Sequence, residues 1–269
     1  MAKSLLQQVM LKAEIKTPSR PSFLNTQELI DKINYGYIAK RETKFAQKKT
    51  FAPSTIAYSH GECPRYWYLA FEGADFVDNA DAYGGANMTA GTKSHERIQQ
   101  AMEDAGILID SEFKVTYNDP PIFGFGDVIL DWAGEELLGE IKTMPNEGFE
   151  YRKAAGKPKT GHLIQLLIYM KILNKTRAVL IYENKNNHDL LILPVEVTPG
   201  GYAVQWVNQT FEWMKTVRKA WEEKKLPEKN YRSNSKICKT CPLRATCDNA
   251  GKGDMKILSL EPLDENKML

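Results

Sequence analysis

Several things are missing from this sequence of 269 residues. No apolar run is long enough to span a bilayer, so no membrane is expected among its partners. The opening MAKSLLQQVMLKAEIKTPSR lacks the long apolar core and small-residue cleavage site of a secretory signal. Cysteine is scarce, at 4 residues, and without an export signal these point to a reducing compartment, where cysteines serve metals more often than disulfides. A cytoplasmic location is therefore expected. The net charge is only +2, so composition alone does not announce a nucleic-acid binder. No G-x-x-x-x-G-K-[ST] phosphate loop occurs, so no helicase segment of that kind is expected. There is no internal repeat. What remains, 42% hydrophobic and 26% charged, suits one sizeable globular domain with elaborations.

The most informative stretch is GFGDVILDWAGEELLGEIKT, from Gly124 to Thr143. Val128, Ile129, Leu130 and Trp132 predict one strand, and Leu137, Leu138, Ile141 and Thr143 a second, joined by a polar turn at Ala133-Gly134-Glu135-Glu136. Glu140 and Lys142 are two apart and so share a face, and the turn brings Asp127 alongside them. Two carboxylates and an ammonium on one sheet face can hold a hard divalent cation and leave a positive group beside its water. The bland alternative is a solvent-facing hairpin with ordinary surface charges.

Residues 1–22 are expected to be a poorly ordered arm. Asn25 with Glu28 reads as a capping box for a helix carrying Leu29, Ile30 and Ile33. A basic, loop-like stretch follows with Lys40, Arg41, Lys44, Lys48 and Lys49, and Ser54 reads as an N-cap. Tyr66, Trp67, Tyr68, Leu69 and Phe71 make a helical core cluster. Residues 73–90 are Gly-, Asp-, Asn- and Ala-rich and predict a mobile flap. The next helix places His95, Ile98 and Met102 on one face, where a histidine is either a satisfied core group or a ligand. A strand over Glu112–Tyr117 would pair with the hairpin. Arg152, Lys153, Lys157 and Lys159 predict a flexible basic loop, either solvated or in contact with phosphates. GHLIQLLIYMKIL predicts a buried helix with Gln165 and Tyr169 on one side. Strands at Ala178–Tyr182 and Leu190–Val197 and a helix over 202–224 complete the chain's regular structure.

Near the C-terminus Cys238, Cys241 and Cys247 are spaced C-x2-C-x5-C. The nearest histidine, His188, lies far upstream, so short-range zinc spacing fails. Cys63 is the only other cysteine, read alone as a small buried hydrophobe. Four thiolates suit an iron–sulfur cluster, with a zinc site as the alternative.

Taken in order, C-P-R, G-T-x-x-H, G-x-x-D, E-x-K, Q-x-x-x-Y and C-x2-C-x5-C resemble the motifs of the PD-(D/E)XK nuclease superfamily, in its RecB-like, AddB-type iron–sulfur branch with CRISPR-associated and phage-borne relatives. The resemblance covers roughly residues 54–250. It implies an α/β mixed sheet with an α-β-β-β-α-β core, in a nuclease core over 54–230, between an N-terminal arm and helix (1–53) and a cysteine segment and tail (231–269). It further implies a DNA exonuclease acting on single strands or ends. His95, Asp127, Glu140 and the carbonyl of Ile141 would hold Mg2+ or Mn2+, Lys142 would orient the attacking water, and Gln165 and Tyr169 would place the strand. Cys63, Cys238, Cys241 and Cys247 would bind a structural 4Fe-4S cluster. The host would be a prokaryotic or virus-infected cell, and the partners DNA and recombination or CRISPR-adaptation proteins. Two other readings remain: a DNA-trimming subunit dependent on such partners, and a non-catalytic iron–sulfur DNA-binding protein.

Overall fold

The structure is a computed structural model and describes residues 25–39, 47–77 and 81–267. Its centre is a five-stranded sheet in the order β1-β2-β3-β4-β5. β1 (Leu108–Tyr117), β2 (Ile122–Trp132) and β3 (Glu135–Met144) form an antiparallel meander. β4 (Arg177–Asn184) joins β3 in parallel, and β5 (Leu190–Glu196) runs antiparallel to β4. The turn after β2 is tighter than expected. Only Ala133 and Gly134 intervene, at φ 55° and 81°, the left-handed pair of a type I′ hairpin, whose twist matches that of the strands. Asp131 Oδ1 accepts from the Gly134 N–H at 2.9 Å, so Glu135 and Glu136 join the ladder instead of looping out.

A parallel pair needs a crossover. Two helices supply it, α5 (Asn146–Ala155) and α6 (Thr160–Ile172), the latter buried almost all round as its apolar run predicts. The same sheet face receives Trp206, Phe211, Met214 and Val217 from α7 (Tyr202–Glu222), and Tyr66, Trp67 and Phe71 from α3 (Pro64–Glu72). On the other face α4 (Ala82–Asp104) seats Ile98 against Val128, Leu130, Ile141, Val179 and Ile181. Alternation along β3 therefore turns Leu138, Glu140 and Met144 toward the large core and Ile141 toward α4. This mixed α/β architecture contains the expected α-β-β-β-α-β order.

Three local expectations need correction. The segment read as a mobile flap is helical from Ala82 onward, because Asp81 caps α4 by accepting from the Gly84 N–H at 2.8 Å. Arg152 and Lys153 lie in the last turn of α5 rather than in a loop, and Gly156 ends that helix at φ 62°, leaving Lys157 and Lys159 on the short link to α6. Ser54 lies inside the short helix α2 (Pro53–Ile56), where Pro53 takes the first position and Ala52 the cap. Asn25 does cap α1 (Thr26–Gly36), accepting from the Glu28 N–H at 3.2 Å. The arm, Lys40, Arg41 and Lys44 lie outside the described residues. Among the described residues no helix is long and apolar enough to cross a membrane.

Candidate metal centre and cysteine cavity

β2 and β3 bring Asp127, Glu140 and Lys142 together. The ladder pairs Val128 with Gly139, so Asp127 and Glu140 come next along it. A side chain at Gly139 would meet Val128 Cγ2 at 2.7 Å, which is why glycine precedes the glutamate. The Ile141 N–H donates to Asp127 Oδ2 at 2.7 Å. Lys142 Nζ stands 2.5 Å from Glu140 Oε1, yet no hydrogen bond of good geometry satisfies either oxygen of this fully buried carboxylate. Such a group is costly unless something compensates it, and a hard cation fits its chemistry.

Burial, reinforced by Asp127 and opposed by Lys142, pushes the Glu140 carboxyl up to about 8. Burial also raises Asp127, against the pull of Lys142, His95 and the Ile141 N–H. For Lys142 burial works downward, but Glu140 and Asp127 outweigh it and the net shift is upward. Without a cation, then, the two carboxyls hold less than their full negative charge while Lys142 stays protonated.

α4 delivers His95, whose Nδ1 lies 3.7 Å from Asp127 Oδ1 and 3.9 Å from Glu112 Oε1. Ligand atoms of His95, Glu112 and Asp127 all lie within 4.8 Å of one another. Glu112 was not expected here. It sits between the Ser111–Val128 and Phe113–Gly126 pairs, opposite Asp127, with φ at 50°. Gln99 ties it in place, donating to Glu112 Oε1 at 3.0 Å and to the Asp127 carbonyl at 3.1 Å. Only the strand register could have revealed it.

Gln165 and Tyr169 do share a face of α6, and both are buried. The Tyr169 hydroxyl meets Gln165 and the backbone of Phe125, and burial followed by Glu140 and Asp127 raises its pKa, which keeps the hydroxyl protonated. A side chain at Gly124 would stand 2.5 Å from Tyr169 Oη, so this glycine makes room for the hydroxyl. Beside Lys142, its ladder partner Tyr182 accepts from the Lys159 N–H at 3.0 Å and lies 3.2 Å from His162 Nδ1. Of the four basic residues, Arg152 donates to the Pro158 carbonyl at 3.1 Å and Lys157 to Asn266 at 2.9 Å, while Lys153 and Lys159 are exposed.

No protein family and no curated protein matches the chain. Solved structures do. The alkaline exonuclease LHK-Exo from Laribacter hongkongensis superposes with a TM-score of 0.51 at 10% identity, over 70% of this chain and 94% of that one. The chain has the fold of that exonuclease. LHK-Exo in complex with dAMP aligns at TM-score 0.49 and 15% identity, over 68% and 92% of the two chains. The crystal structure of SSO0001 aligns at 0.44 and 15%, over 83% and 96%.

Cys63 and the three cysteines near the C-terminus, distant from it in sequence, line one cavity together with His60, Tyr66 and Leu243. Cys63 immediately precedes α3, Cys238 lies on α8 (Lys236–Thr240), Cys241 follows it, and Cys247 lies on α9 (Arg244–Asn249). All are free thiols. Burial pushes Cys63 up to about 12, against the Tyr66 and Arg65 backbone, and Cys241 up to about 11, against that of Leu243. Among the described residues no three cysteine sulfurs lie within 4.8 Å of one another. A tetrahedral zinc with bonds of about 2.3 Å would draw them to roughly 3.8 Å.

Proposed function

We propose that this chain is a metal-dependent DNA exonuclease of the PD-(D/E)XK type, acting on single strands or ends in DNA repair or recombination. One observation carries the reading: a buried carboxylate pair with an unsatisfied member, flanked by a protonated lysine, on the fold of an alkaline exonuclease. Asp127, Glu140, the Ile141 carbonyl and His95, joined by Glu112, would hold Mg2+ or Mn2+. Such a cation supplies an acidified water and neutralises charge developing on the scissile phosphate. Lys142, its proton held by two carboxylates, donates toward the attacking water or the phosphate. Gln165 and Tyr169 act from behind, fixing the β2 backbone at Gly124 and Phe125 beside Asp127. Arg152, Lys153, Lys157 and Lys159 offer their charge to the phosphate backbone at the mouth of the site.

The cysteines we assign to a structural 4Fe-4S cluster, because four thiols line one cavity, the number that such a cluster takes. The test of the activity is end-labelled single- and double-stranded DNA digested with Mg2+ or Mn2+. Stepwise shortening by the wild type and none by Glu140→Gln is expected. Equal DNA binding with no cleavage by the wild type would favour the non-catalytic iron–sulfur reading instead.

A second reading, a trimming subunit held by recombination or CRISPR-adaptation proteins, draws on the sheet face beside α4. There Trp132, Leu190 and Ile192 are 65%, 55% and 50% exposed over a largely apolar groove. Cleavage that appears only when such a partner co-elutes in gel filtration would favour it.

A further inference from the structure

The third residue of Cys63-Pro64-Arg65 places a strong demand on its surroundings. Arg65 lies in the first turn of α3 and is 1% exposed. Its Nη1 donates to the carbonyls of Pro227 and Lys252 at 2.8 and 3.3 Å, and its Nη2 to those of Gly251 and Cys247 at 2.6 and 3.2 Å. The remaining donor, Nε, points at Cys247 Sγ at 3.2 Å. Every branch of the fork is thus used. No carboxylate pairs with it among the described residues. Asp248, the acidic neighbour of Cys247, is taken by Lys229 at 2.8 Å and Arg244 at 3.7 Å.

A guanidinium keeps its charge in any protein, and burying it without a counter-charge is strongly unfavourable. Four carbonyl dipoles soften that cost but carry no net charge. Among the described residues Cys247 Sγ is the one hydrogen-bond partner of Arg65 that can carry a full negative charge, and it lines the cavity with the other three sulfurs. We infer that Arg65 is the counter-ion and N–H···S donor of the thiolate-ligated cluster, a positioning residue that sets the cluster's reduction potential and retention. This rests on the cluster reading above. Four thiolates leave such a cluster with net negative charge, and hydrogen bonds and positive charge at the sulfurs favour its reduced, more negative form. Arg65 therefore raises the potential. By gripping the carbonyls of residues 227 and 247–252 it also holds the C-terminal ligand segment against α3, as outer-sphere groups do at metal sites.

The test uses the full chain purified without oxygen. Iron and sulfide content of the wild type first establishes the group bound. Arg65→Lys keeps the charge but loses the Nε–Sγ bond, and Arg65→Met loses both. Circular dichroism checks the fold, and the lysine variant carries the test should the methionine variant not fold. Arg65→Lys is expected to keep its cluster at a more negative midpoint potential and to release iron to a chelator roughly tenfold faster, as for a lost hydrogen bond to a charged group. Arg65→Met is expected to lose the cluster during purification. A folded lysine variant with wild-type potential and wild-type iron release would overturn the role of Arg65 and leave the cluster standing. A wild type with zinc or no metal at the cysteines would overturn the cluster assignment, and the role of Arg65 with it.

Discussion

The Ile141 N–H donates to Asp127 Oδ2 at 2.7 Å, so the acidic residue of β2 is bonded to the backbone of β3 between Glu140 and Lys142. One bond sets the spacing of the three charged groups. Removing charge without disturbing this bond is therefore a clean test of chemistry. Asp127→Asn can still accept from Ile141, and Glu140→Gln has the same shape as the residue it replaces. Together with Lys142→Ala, each should lower cleavage about 100-fold or more, with thermal unfolding near that of the wild type. Wild-type cleavage rates in Lys142→Ala would remove this site from the mechanism.

The Glu140 carboxyl, held up to about 8 by burial and by Asp127, is mostly protonated at neutral pH in the metal-free protein. A cation binds the carboxylate, so binding must expel that proton. Affinity for Mn2+ should consequently rise with pH until about 8 and then level off. Calorimetry in two buffers of different ionisation enthalpy, at pH 7, should report proton release. Binding that is indifferent to both pH and buffer would refute the placement of the ion on Glu140.

Much of this arrangement is legible in the sequence because it is local. The hairpin, its two-residue face-sharing and the buried α6 follow from alternation and from an unbroken apolar run. Glu112 is not local: it reaches Asp127 only through the β1–β2 register and a backbone with φ at 50°, which no pattern announces. The helix over 82–90 was hidden because two glycines mask a good cap at Asp81. Arg152 and Lys153 read as part of a loop since their helix, α5, carries only one buried side chain, Phe149. Arg65 entered the sequence reading only as the third residue of C-P-R, and its partners, near 250, could not be named without the fold.

Gly124 and Tyr169 offer a test through paired substitutions. A methyl group at position 124 would stand 2.5 Å from Tyr169 Oη, so Gly124→Ala should lower the melting temperature and slow cleavage by displacing that hydroxyl. Tyr169→Phe removes the oxygen that clashes. The double variant should therefore be more stable than the sum of the two single changes predicts, by an amount of about 1 kcal/mol or more. Simple additivity would show that the two residues do not touch.

His162 gives the fold an acid limit. Burial, and after it Lys142, Lys159 and Arg152, lower its pKa from 6.5 to about 3. Between these values the unfolded chain binds a proton that the folded one refuses, so stability rises with pH across that window. The contribution is complete above 6.5 and is lost progressively as pH falls toward 3. His162→Asn should flatten this part of the stability profile measured by denaturant titration. An unchanged slope in the variant would assign the acid sensitivity to other groups.

The cysteines should behave as one unit although Cys63 stands far from the other three. Burial pushes the Cys63 and Cys241 thiols up to about 12 and about 11, so the proposed cluster would have to replace those protons and its binding energy would add to folding energy. Cys63→Ser and Cys241→Ser each leave three thiolates, and each should yield colourless protein where the wild type, purified without oxygen, should be brown. Through the proposed cluster Cys63 would join the start of α3 to the C-terminal segment, closing most of the chain into a loop and restricting the unfolded state. Both variants should therefore melt earlier and expose the C-terminal segment to protease, at sites around α8 and α9. Cleavage of DNA should fall less than in Glu140→Gln, since the acidic site is built on β2 and β3 rather than on the clasp. A Cys63→Ser protein that keeps its colour and its melting temperature would show that the cavity holds its group without the fourth sulfur.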